Sequence, residues 1–304
     1  MDEILKELTY EFGASGHEER LRESIKNFLK GFKINEDNFG NLIISNTSSP
    51  KFFFLTGIDE STFFIKEEEK GLYKFSLIGD YIPINIIDRF VVFKDGKRGI
   101  IRNLKEKGEP EISDLRVEIL GKKKSEIGEA FIIEPFFYNE KNLYISSNLD
   151  SRICASFLIH FLKNHKNFPL KIIFLVKTKL SEKGALPAMI DENPEFIFVL
   201  GSAPCKDGIE TGRGPVISFI EKNYVLPSYL KGKLLKILEK ENVPFQKRLS
   251  EDYSNFNFYL FNSGYKDSFF IYLPVKYKNS VYKVLEKKDL ETLERLFEIL
   301  LKKL

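Results

Sequence analysis

The sequence predicts an α/β protein in which a mainly parallel sheet, flanked by helices, is interrupted by a small inserted all-β domain. In the second half of the chain, short apolar runs typical of buried strands alternate with segments of helical periodicity. Between residues 63 and 137, short alternating segments are instead separated by glycines, without a clear helical run. We therefore predict a discontinuous α/β domain of residues 1–61 and 146–304, with an inserted β-rich domain of residues 62–145.

The first predicted elements are a helix and two strands. Apolar residues at helical spacing predict a helix over 21–29, which ends before Gly31, a residue type that often follows a helix. Strands are predicted at 42–44 and at 52–55. The second of these is a continuous apolar run, which is typical of a strand buried on both faces. Its end at Gly57 opens into a loop, where functional residues are often found.

After the inserted domain, helices and strands alternate. The predicted elements are helix 153–162, strand 172–176, a helix before the next strand, strand 196–200, helix 230–238, strand 269–273 and helix 290–304. Strands joined by helical crossovers run parallel in one sheet. The order therefore predicts a mainly parallel sheet with helices on both faces.

The composition excludes several functional classes. With 2 cysteines among 304 residues and no cleavable leader before the acidic start, the protein is expected to be cytoplasmic, unlike disulfide-stabilised secreted proteins. The apolar runs fall short of the roughly 18 residues that a membrane-spanning helix needs. The 47 basic and 44 acidic residues are intermixed, whereas a nucleic-acid-binding protein usually concentrates its basic residues on one face. Neither a membrane nor a nucleic acid is expected as a partner.

Few residues suit metal binding or nucleophilic chemistry. The three histidines are predicted near helix ends, and His160 and His165 have a spacing that does not place them on one helix face. Cys154 is expected in the core of its helix, and Cys205 has no histidine near it in the sequence. A cysteine nucleophile is therefore not supported by its sequence neighbours.

Carboxylates at predicted element ends are better candidates. Asp59 and Glu60 follow the strand at 52–55, and Asp150 lies at a junction between a strand and a helix. For each of these carboxylates, a helix-capping or salt-bridge role is as compatible with the sequence as a catalytic role.

Several strings along nearly the whole chain occur together in a fixed order. They are Phe12-Gly13-Ala14-Ser15-Gly16-His17-Glu18-Glu19, Asp37-Asn38-Phe39-Gly40-Asn41-Leu42, Ile78-Gly79, Asp114-Leu115, Glu182-Lys183-Gly184-Ala185, Gly212-Arg213-Gly214-Pro215, Pro274-Val275-Lys276-Tyr277, and Asn279-Ser280 followed by Asp289. Together they resemble the tetrahedral or glutamyl aminopeptidases, a family of dinuclear-metal peptidases often mislabelled as endoglucanases. The resemblance implies a zinc-aminopeptidase-like fold, two divalent metal ions such as zinc or cobalt, and an inserted β domain that mediates dimerisation and assembly into shells.

The resemblance also implies five metal ligands and a carboxylate base, and two of the relevant positions are kept. Asp150 corresponds to the aspartate that bridges the two metal ions in the family. Asp59 corresponds to the aspartate that orients a histidine ligand, and without metal ions we do not expect it to act in catalysis.

The remaining positions have changed. Gly57 stands in place of a histidine ligand, Thr178 in place of the glutamate base, and Lys179 in place of a glutamate ligand. Gly201 replaces an aspartate ligand, and Asn279 replaces the final histidine ligand. One ligand in five cannot hold two divalent cations. We therefore expect no metal cofactor.

The leading hypothesis is an aminopeptidase homologue that has lost its metal site and base. A lysine at position 179 would bring positive charge close to Asp150, so we predict a structural ion pair between Asp150 and Lys179, with Arg152 as a further partner. Such a protein would act as a non-catalytic assembly or peptide-binding protein. It would form a homo-oligomer, or a hetero-oligomer with an active paralogue.

Two alternatives keep an enzymatic function. The first is an active metal-dependent aminopeptidase with a site rebuilt from carboxylates, which could bind a hard cation. The carboxylates considered for it are Asp59, Glu60, Asp150, Glu182, Asp252 and Asp267. The second alternative is a hydrolase that uses Cys205 or Ser202 as its nucleophile, for which the sequence offers no evident base.

Overall fold

The computed structural model describes residues 1–121, 123–180, 194–221, 224–249 and 267–304. The strands, in chain order, are β1 (Lys33–Glu36), β2 (Leu42–Ser45), β3 (Phe52–Gly57), β4 (Thr62–Glu69), β5 (Leu72–Ile78), β6 (Phe90–Phe93), β7 (Arg98–Asn103), β8 (Leu115–Ile119), β9 (Ala130–Ile133), β10 (Phe137–Asn139), β11 (Leu143–Ser146), β12 (Leu170–Leu175), β13 (Phe196–Pro204), β14 (Val216–Glu221), β15 (Tyr224–Val225), β16 (Gln246–Leu249), β17 (Ser268–Val275) and β18 (Lys283–Glu286). The helices are α1 (Asp2–Tyr10), α2 (Glu19–Phe28), α3 (Pro83–Ile86), α4 (Leu149–Asn164), α5 (Ser228–Lys240) and α6 (Lys287–Lys303).

The centre of the protein is a nine-stranded sheet in the order β1-β2-β12-β3-β13-β17-β14-β15, with β16 paired to β14. The strands β12, β3, β13 and β17 run parallel, while β2 and β14 flank them in antiparallel orientation. All residues of β12 and β17 are buried, as expected for strands covered on both faces. The predicted α/β class is confirmed, although the sheet is mixed and its parallel part is confined to the centre.

Alternate residues of β3 enter two separate apolar clusters. Phe54 packs against Phe198 of β13 and Phe297 of α6, with ring centroids 5.0 Å apart in both pairs. This larger cluster also receives apolar residues of α1, α2, α4 and α5. Phe53 and Leu55 belong to a smaller cluster. Because successive side chains of a strand point to opposite faces, the helices with their large core lie on the Phe54 face.

The chain after β3 forms a closed barrel of six strands in the order β4-β5-β8-β7-β6-β9. Its core is aromatic, since Phe63 stacks on Phe131 at 5.0 Å and meets Phe75 edge-on at 5.4 Å. The β-rich texture that predicts an all-β unit therefore corresponds to a barrel. Closure pairs the strands around the whole barrel, so it presents no open sheet edge.

A three-stranded antiparallel sheet of β10, β11 and β18 lies beside α4. Its first two strands follow the barrel in the chain, whereas β18 lies between β17 and α6. The barrel strands span residues 62–133, and the predicted limits of the inserted domain, 62 and 145, stay a prediction. None of the helices in the described part of the chain is long and apolar enough to cross a membrane.

The predicted elements of the α/β part are largely present, with different ends. The helix predicted at 153–162 extends over Leu149–Asn164, and the strand predicted at 172–176 runs over Leu170–Leu175. The helix predicted before strand 196–200 falls mostly on 181–193, outside the described residues. The helix α1 and the strands β14 to β16 have no counterpart in the prediction. Among them, β15 and β16 are short and have no fully buried residue, so their apolar pattern is weak.

A buried arginine connects α4 to two other segments. Arg152 is fully buried, and its guanidinium donates to the carboxylate of Glu60 and to the backbone carbonyls of Leu8 (2.8 Å) and Ile58. Gly13 makes room for this group, because a Cβ atom there would collide with the guanidinium. The arginine thus joins α1, the loop after β3 and α4 through bonds that no apolar side chain can replace.

The substitution Arg152→Met should lower the free energy of unfolding by about 3–5 kcal/mol, because it leaves a buried carboxylate without its partner. The control Arg98→Met removes an arginine whose side chain is 63% exposed and which pairs with Glu134 at the surface. We expect that control to cost less than about 1 kcal/mol. Urea unfolding followed by circular dichroism at matched protein concentration measures both. Equal losses in the two variants would contradict the proposed importance of the buried arginine.

Candidate functional site

A cavity of about 700 Å³ lies near the carboxyl ends of β3, β13 and β17. Ligands of open α/β sheets usually bind at this edge, where loops leave the strands. The start of α4 contributes Asp150 and Ser151, and the connection from β5 to α3 contributes Asp80 and Ile82 from the barrel side. The cavity is therefore built by both parts of the chain.

This cavity is lined by all seven positions that the resemblance relates to metal binding or catalysis. They are Gly57, Asp59, Asp150, Thr178, Lys179, Gly201 and Asn279. In the sequence they are spread over more than 200 residues, and the parallel strands together with the loops around them bring them to one place. Their assignment to lost or retained catalytic roles stays a prediction.

Asp59 is buried and surrounded by donors from the protein. Its carboxylate accepts hydrogen bonds from the backbone N–H groups of Thr178 and Lys179, both at 2.8 Å, and from the hydroxyls of Ser15 and Thr178. These bonds fix the loop after β12 against the loop after β3. Because the Thr178 hydroxyl donates to a carboxylate, it is not arranged as a proton acceptor.

Two glycines of the site are packed against larger side chains. A Cβ atom on Gly57 would lie 2.6 Å from Oγ1 of Thr178, which is far below a normal contact distance. A Cβ atom on Gly201 would lie 3.1 Å from the ring of Tyr272, which neighbours Gly201 on β17. The space next to both glycines is thus taken by the side chains of Thr178 and Tyr272.

A row of alternating charges begins in the lining of the cavity and ends at the buried Lys283. The ammonium of Lys179 lies 2.7 Å from Asp80 and 3.9 Å from Asp150, and the ammonium of Lys283 lies 3.3 Å from Asp150. The predicted pair of Asp150 and Lys179 is therefore part of a longer row, in which each of the two has a closer partner. Arg152 is bound to Glu60 instead, so it does not take part.

The charges in this row shift the pKa of Asp150. Burial alone would raise this pKa, but the nearby ammonium groups of Lys283, Lys179 and Lys278 outweigh it and lower the pKa to about 2. Asp150 is thus a permanently ionised residue at neutral pH.

Further cations line the cavity. The ammonium of Lys278 donates to the backbone carbonyl of Ser202 at 2.9 Å, and burial together with the charge of Lys179 lowers the pKa of this lysine. Arg248 lies over the ring of Tyr272 at 5.1 Å, and Lys206 is also part of the lining. The site is richer in positive charge than a site for divalent cations would be.

The described residues of the cavity lining do not fit two divalent metal ions. Among the described residues of the lining, the possible anionic ligands are Asp59, Asp80 and Asp150, and each is already held by donors or lysines of the protein. No histidine is among these residues. Within the described part of the chain, a metal-like grouping of side chains occurs elsewhere, at His165, Glu294 and Glu298.

Four of the carboxylates considered for a rebuilt metal site are described, and these four do not meet at one place. Of them, Asp59 and Asp150 line the cavity, while Glu60 is bound to Arg152. Asp267 precedes β17, at the end of that strand away from the cavity, and its carboxylate accepts a hydrogen bond from the hydroxyl of Tyr229. The other two, Glu182 and Asp252, lie outside the described residues.

The nucleophile alternative finds little support in the geometry. Cys205 and Ser202 line the cavity, but burial raises the pKa of the Cys205 thiol. The three histidines lie away from the described lining of the cavity, so no imidazole is positioned to accept a proton from either residue. A protonated thiol without a base is a weak nucleophile.

The sequence prediction misses the residues that decide the charge of the site. These are Asp80, Arg248, Lys278 and Lys283. Asp80 directly follows the Ile78-Gly79 string, and Lys278 directly precedes Asn279. Their adjacency to these family strings is the signal that could have marked them as site residues. Nothing in the sequence pattern marks Arg248 or Lys283.

A sheet of this topology, with a β barrel inserted after its third strand and a cavity at the strand ends, defines an aminopeptidase-like hydrolase fold. Residues 40–296 match the family model of the M42 glutamyl aminopeptidases, so the chain belongs to that family.

Solved structures show the same fold at low sequence identity. The TET1 peptidase of Pyrococcus horikoshii, described as able to assemble into a tetrahedron or a large octahedral shell, has a TM-score of 0.87 at 23% identity over 98% of both chains. A TET aminopeptidase from Thaumarchaeota archaeon SCGC AB-539-E09 has a TM-score of 0.90 at 19% identity, covering 99% of this chain and 96% of that one. A Thermotoga maritima structure named as an endoglucanase has a TM-score of 0.78 at 21% identity, covering 98% and 96%.

The substitution Asp150→Asn should destabilise the protein by about 2 kcal/mol at pH 7, because the lysines around Asp150 lose their carboxylate. Since the pKa is lowered in the folded protein, the stabilisation is present above the ordinary value of 3.8 and is lost as the pH falls towards 2. The difference between wild type and variant should therefore shrink below pH 4. Urea unfolding from pH 7 down to pH 3 measures it.

The matched control is Asp88→Asn, which makes the same change in a surface pair with Arg102, where the aspartate side chain is 68% exposed. We expect this control to change stability by less than about 1 kcal/mol, with little dependence on pH. A difference for Asp150→Asn that stays constant between pH 7 and pH 3 would rule out the ionised carboxylate as its origin.

Proposed function

We propose that this protein is a homologue of the M42 aminopeptidases that has lost the dinuclear metal site and the catalytic base, and that it acts as a non-catalytic assembly or peptide-binding protein. The observation that carries the proposal is the position of Lys179. Its ammonium lies between Asp80 and Asp150, so a fixed positive charge occupies the surroundings of the one ligand that the resemblance retains.

The electrostatics support this proposal. A divalent cation near Asp150 would be repelled by Lys179, Lys283 and Lys278, and displacing the lysines would leave their charges without partners. Metal-dependent peptide hydrolysis requires a bound water with a lowered pKa and a group that accepts its proton. Thr178, at the position of the base, is engaged as a donor to Asp59.

Packing supports it as well. Of the two glycines at ligand positions, Gly57 has no room for a Cβ atom beside Thr178, and Gly201 packs tightly against the ring of Tyr272. The lost ligands are therefore matched by neighbours that have taken their place, which is the state expected of a site maintained without metal ions.

After incubation with excess zinc, cobalt and manganese and subsequent desalting, elemental analysis should find well below one metal ion per subunit. The same sample should release no chromophore from a panel of aminoacyl chromogenic substrates, since it has neither metal-bound water nor base. An active M42 aminopeptidase treated in parallel serves as the positive control. Two tightly held ions per subunit together with amino-acid release would establish the alternative function, an active aminopeptidase with a rebuilt carboxylate site.

We also propose that the protein assembles with copies of itself through the inserted barrel, as part of the same function. The assembly described for the P. horikoshii peptidase supports this, and so do exposed apolar side chains on and next to the barrel, among them Ile84 (56% exposed) and Phe90 (49%). A hetero-oligomer with an active paralogue is the alternative form.

The free thiols of Cys154 and Cys205 agree with a reducing cytoplasmic location.

Light scattering coupled to size-exclusion chromatography should give a mass that is a multiple of the 35.4 kDa chain. A single species at the mass of one chain over the micromolar range would contradict homo-oligomer formation. If the monomer becomes a larger species only after an active M42 paralogue is added, the hetero-oligomeric form is the correct one.

A further inference from the structure

The cavity carries more positive charge than its own carboxylates neutralise at close distance. Lys179 is paired with Asp80, and Lys283 is paired with Asp150. Asp59 is satisfied by backbone N–H groups and hydroxyls, which carry no net charge. Within the described residues, Lys278 faces no carboxylate at ion-pair distance, so its charge is available to a ligand.

The ammonium of Lys278 also has unused hydrogen-bonding capacity. It has three N–H donors, and in the described part of the chain its one acceptor is the carbonyl of Ser202, at 2.9 Å. The side chain is only partly exposed and lines the cavity together with that of Lys179. A desolvated ammonium with free donors is a good partner for an anionic group.

A second feature of the cavity favours an anion at the same place. The first turn of α4, a helix of 16 residues, lines the cavity through Asp150 and Ser151. The positive end of the helix dipole therefore lies at the wall of the cavity, and the charge of Asp150 itself is already matched by lysines.

An aminopeptidase must bind the free amino group of its substrate beside the reacting carbonyl. Here a ligand ammonium would meet Lys179 and Lys278, and like charges at such a distance repel each other. The charge of the cavity thus has the wrong sign for binding the ammonium group of an aminopeptidase substrate.

We propose that the cavity binds its ligand through a carboxylate group held by Lys278 and Lys179. The carboxylate belongs to the carboxyl terminus of a short peptide or to a small free organic acid, and a cavity of about 700 Å³ has room for either. This inference rests on the proposed function, because in an active enzyme the carboxylates would hold metal ions, and those ions would bind the ligand in place of the lysines.

The probes are the peptide N-acetyl-glycyl-leucine, the same peptide as its C-terminal amide, and acetate, each titrated calorimetrically into the protein. We expect the peptide acid to bind at least tenfold more tightly than the amide, and its affinity to fall as the salt concentration rises. If acetate competes with the peptide acid at equal concentration, the source is a small free acid. If acetate competes only weakly, the source is a peptide terminus.

The variant Lys278→Met keeps the length of the side chain and removes its charge, and it should weaken binding of the peptide acid at least tenfold. The matched control is Lys276→Met on the same loop, where the side chain is 45% exposed and its nearest carboxylate is Glu286 at 3.9 Å. This control should bind as the wild type does. The comparison of acid and amide uses the wild-type protein, so it stands even if Lys278→Met does not fold.

Equal affinity for acid and amide, no binding of acid or acetate at millimolar concentration, or an unchanged affinity in a folded Lys278→Met variant would overturn the inference. Metal content and peptidase activity are measured on the same preparation. Bound metal with activity would overturn the proposed function together with this inference. A metal-free, inactive protein without preference for the acid would overturn the inference alone.

Discussion

The contact between Asp150 and its lysines is the interaction on which the character of the site depends. The carboxylate sits on the first turn of α4 and is nearly buried, so it must be compensated by close positive charge. Lys283 is the first residue of β18, and Lys179 lies in the loop after β12. These ammonium groups tie the start of α4 to β18 and to the loop after β12.

The two glycines at proposed ligand positions follow a regular pattern over the strands. Gly57 lies at the end of β3 and packs against Thr178, which follows the neighbouring strand β12. Gly201 on β13 packs against Tyr272 on the adjacent strand β17. In both cases a small residue on one strand is matched by a larger residue on or after the next. A longer side chain at either glycine would therefore require the neighbouring Thr178 or Tyr272 to shift, since interiors are close-packed.

The sequence predicts the central strands and α4 well, because continuous or regularly spaced apolar residues fix which faces are buried. It also predicts which positions meet in the cavity, since strings in family order locate the strand ends. The charges around those positions are a different matter. Lys283 lies on a short strand that pairs with β11, and Asp80 reaches the cavity from the barrel, so both contacts depend on tertiary arrangement and leave no local pattern. The edge strands β15 and β16 are missed for a similar reason, because both are short and incompletely buried.

Asp80 belongs to the connection after β5 of the barrel, yet its carboxylate holds the ammonium of Lys179 on the sheet side. The same connection meets the loop of Asn279, where the N–H of Ile82 and the side chain of Asn85 donate to its carbonyl. Any displacement of the barrel relative to the sheet would therefore change the charge that a ligand encounters. A ligand that binds better to one position of the barrel must therefore strengthen the contacts that the barrel makes in that position. By thermodynamic linkage, those contacts strengthen ligand binding by the same factor. The ion pair between Asp80 and Lys179 thus couples the charge inside the cavity to the position of the barrel.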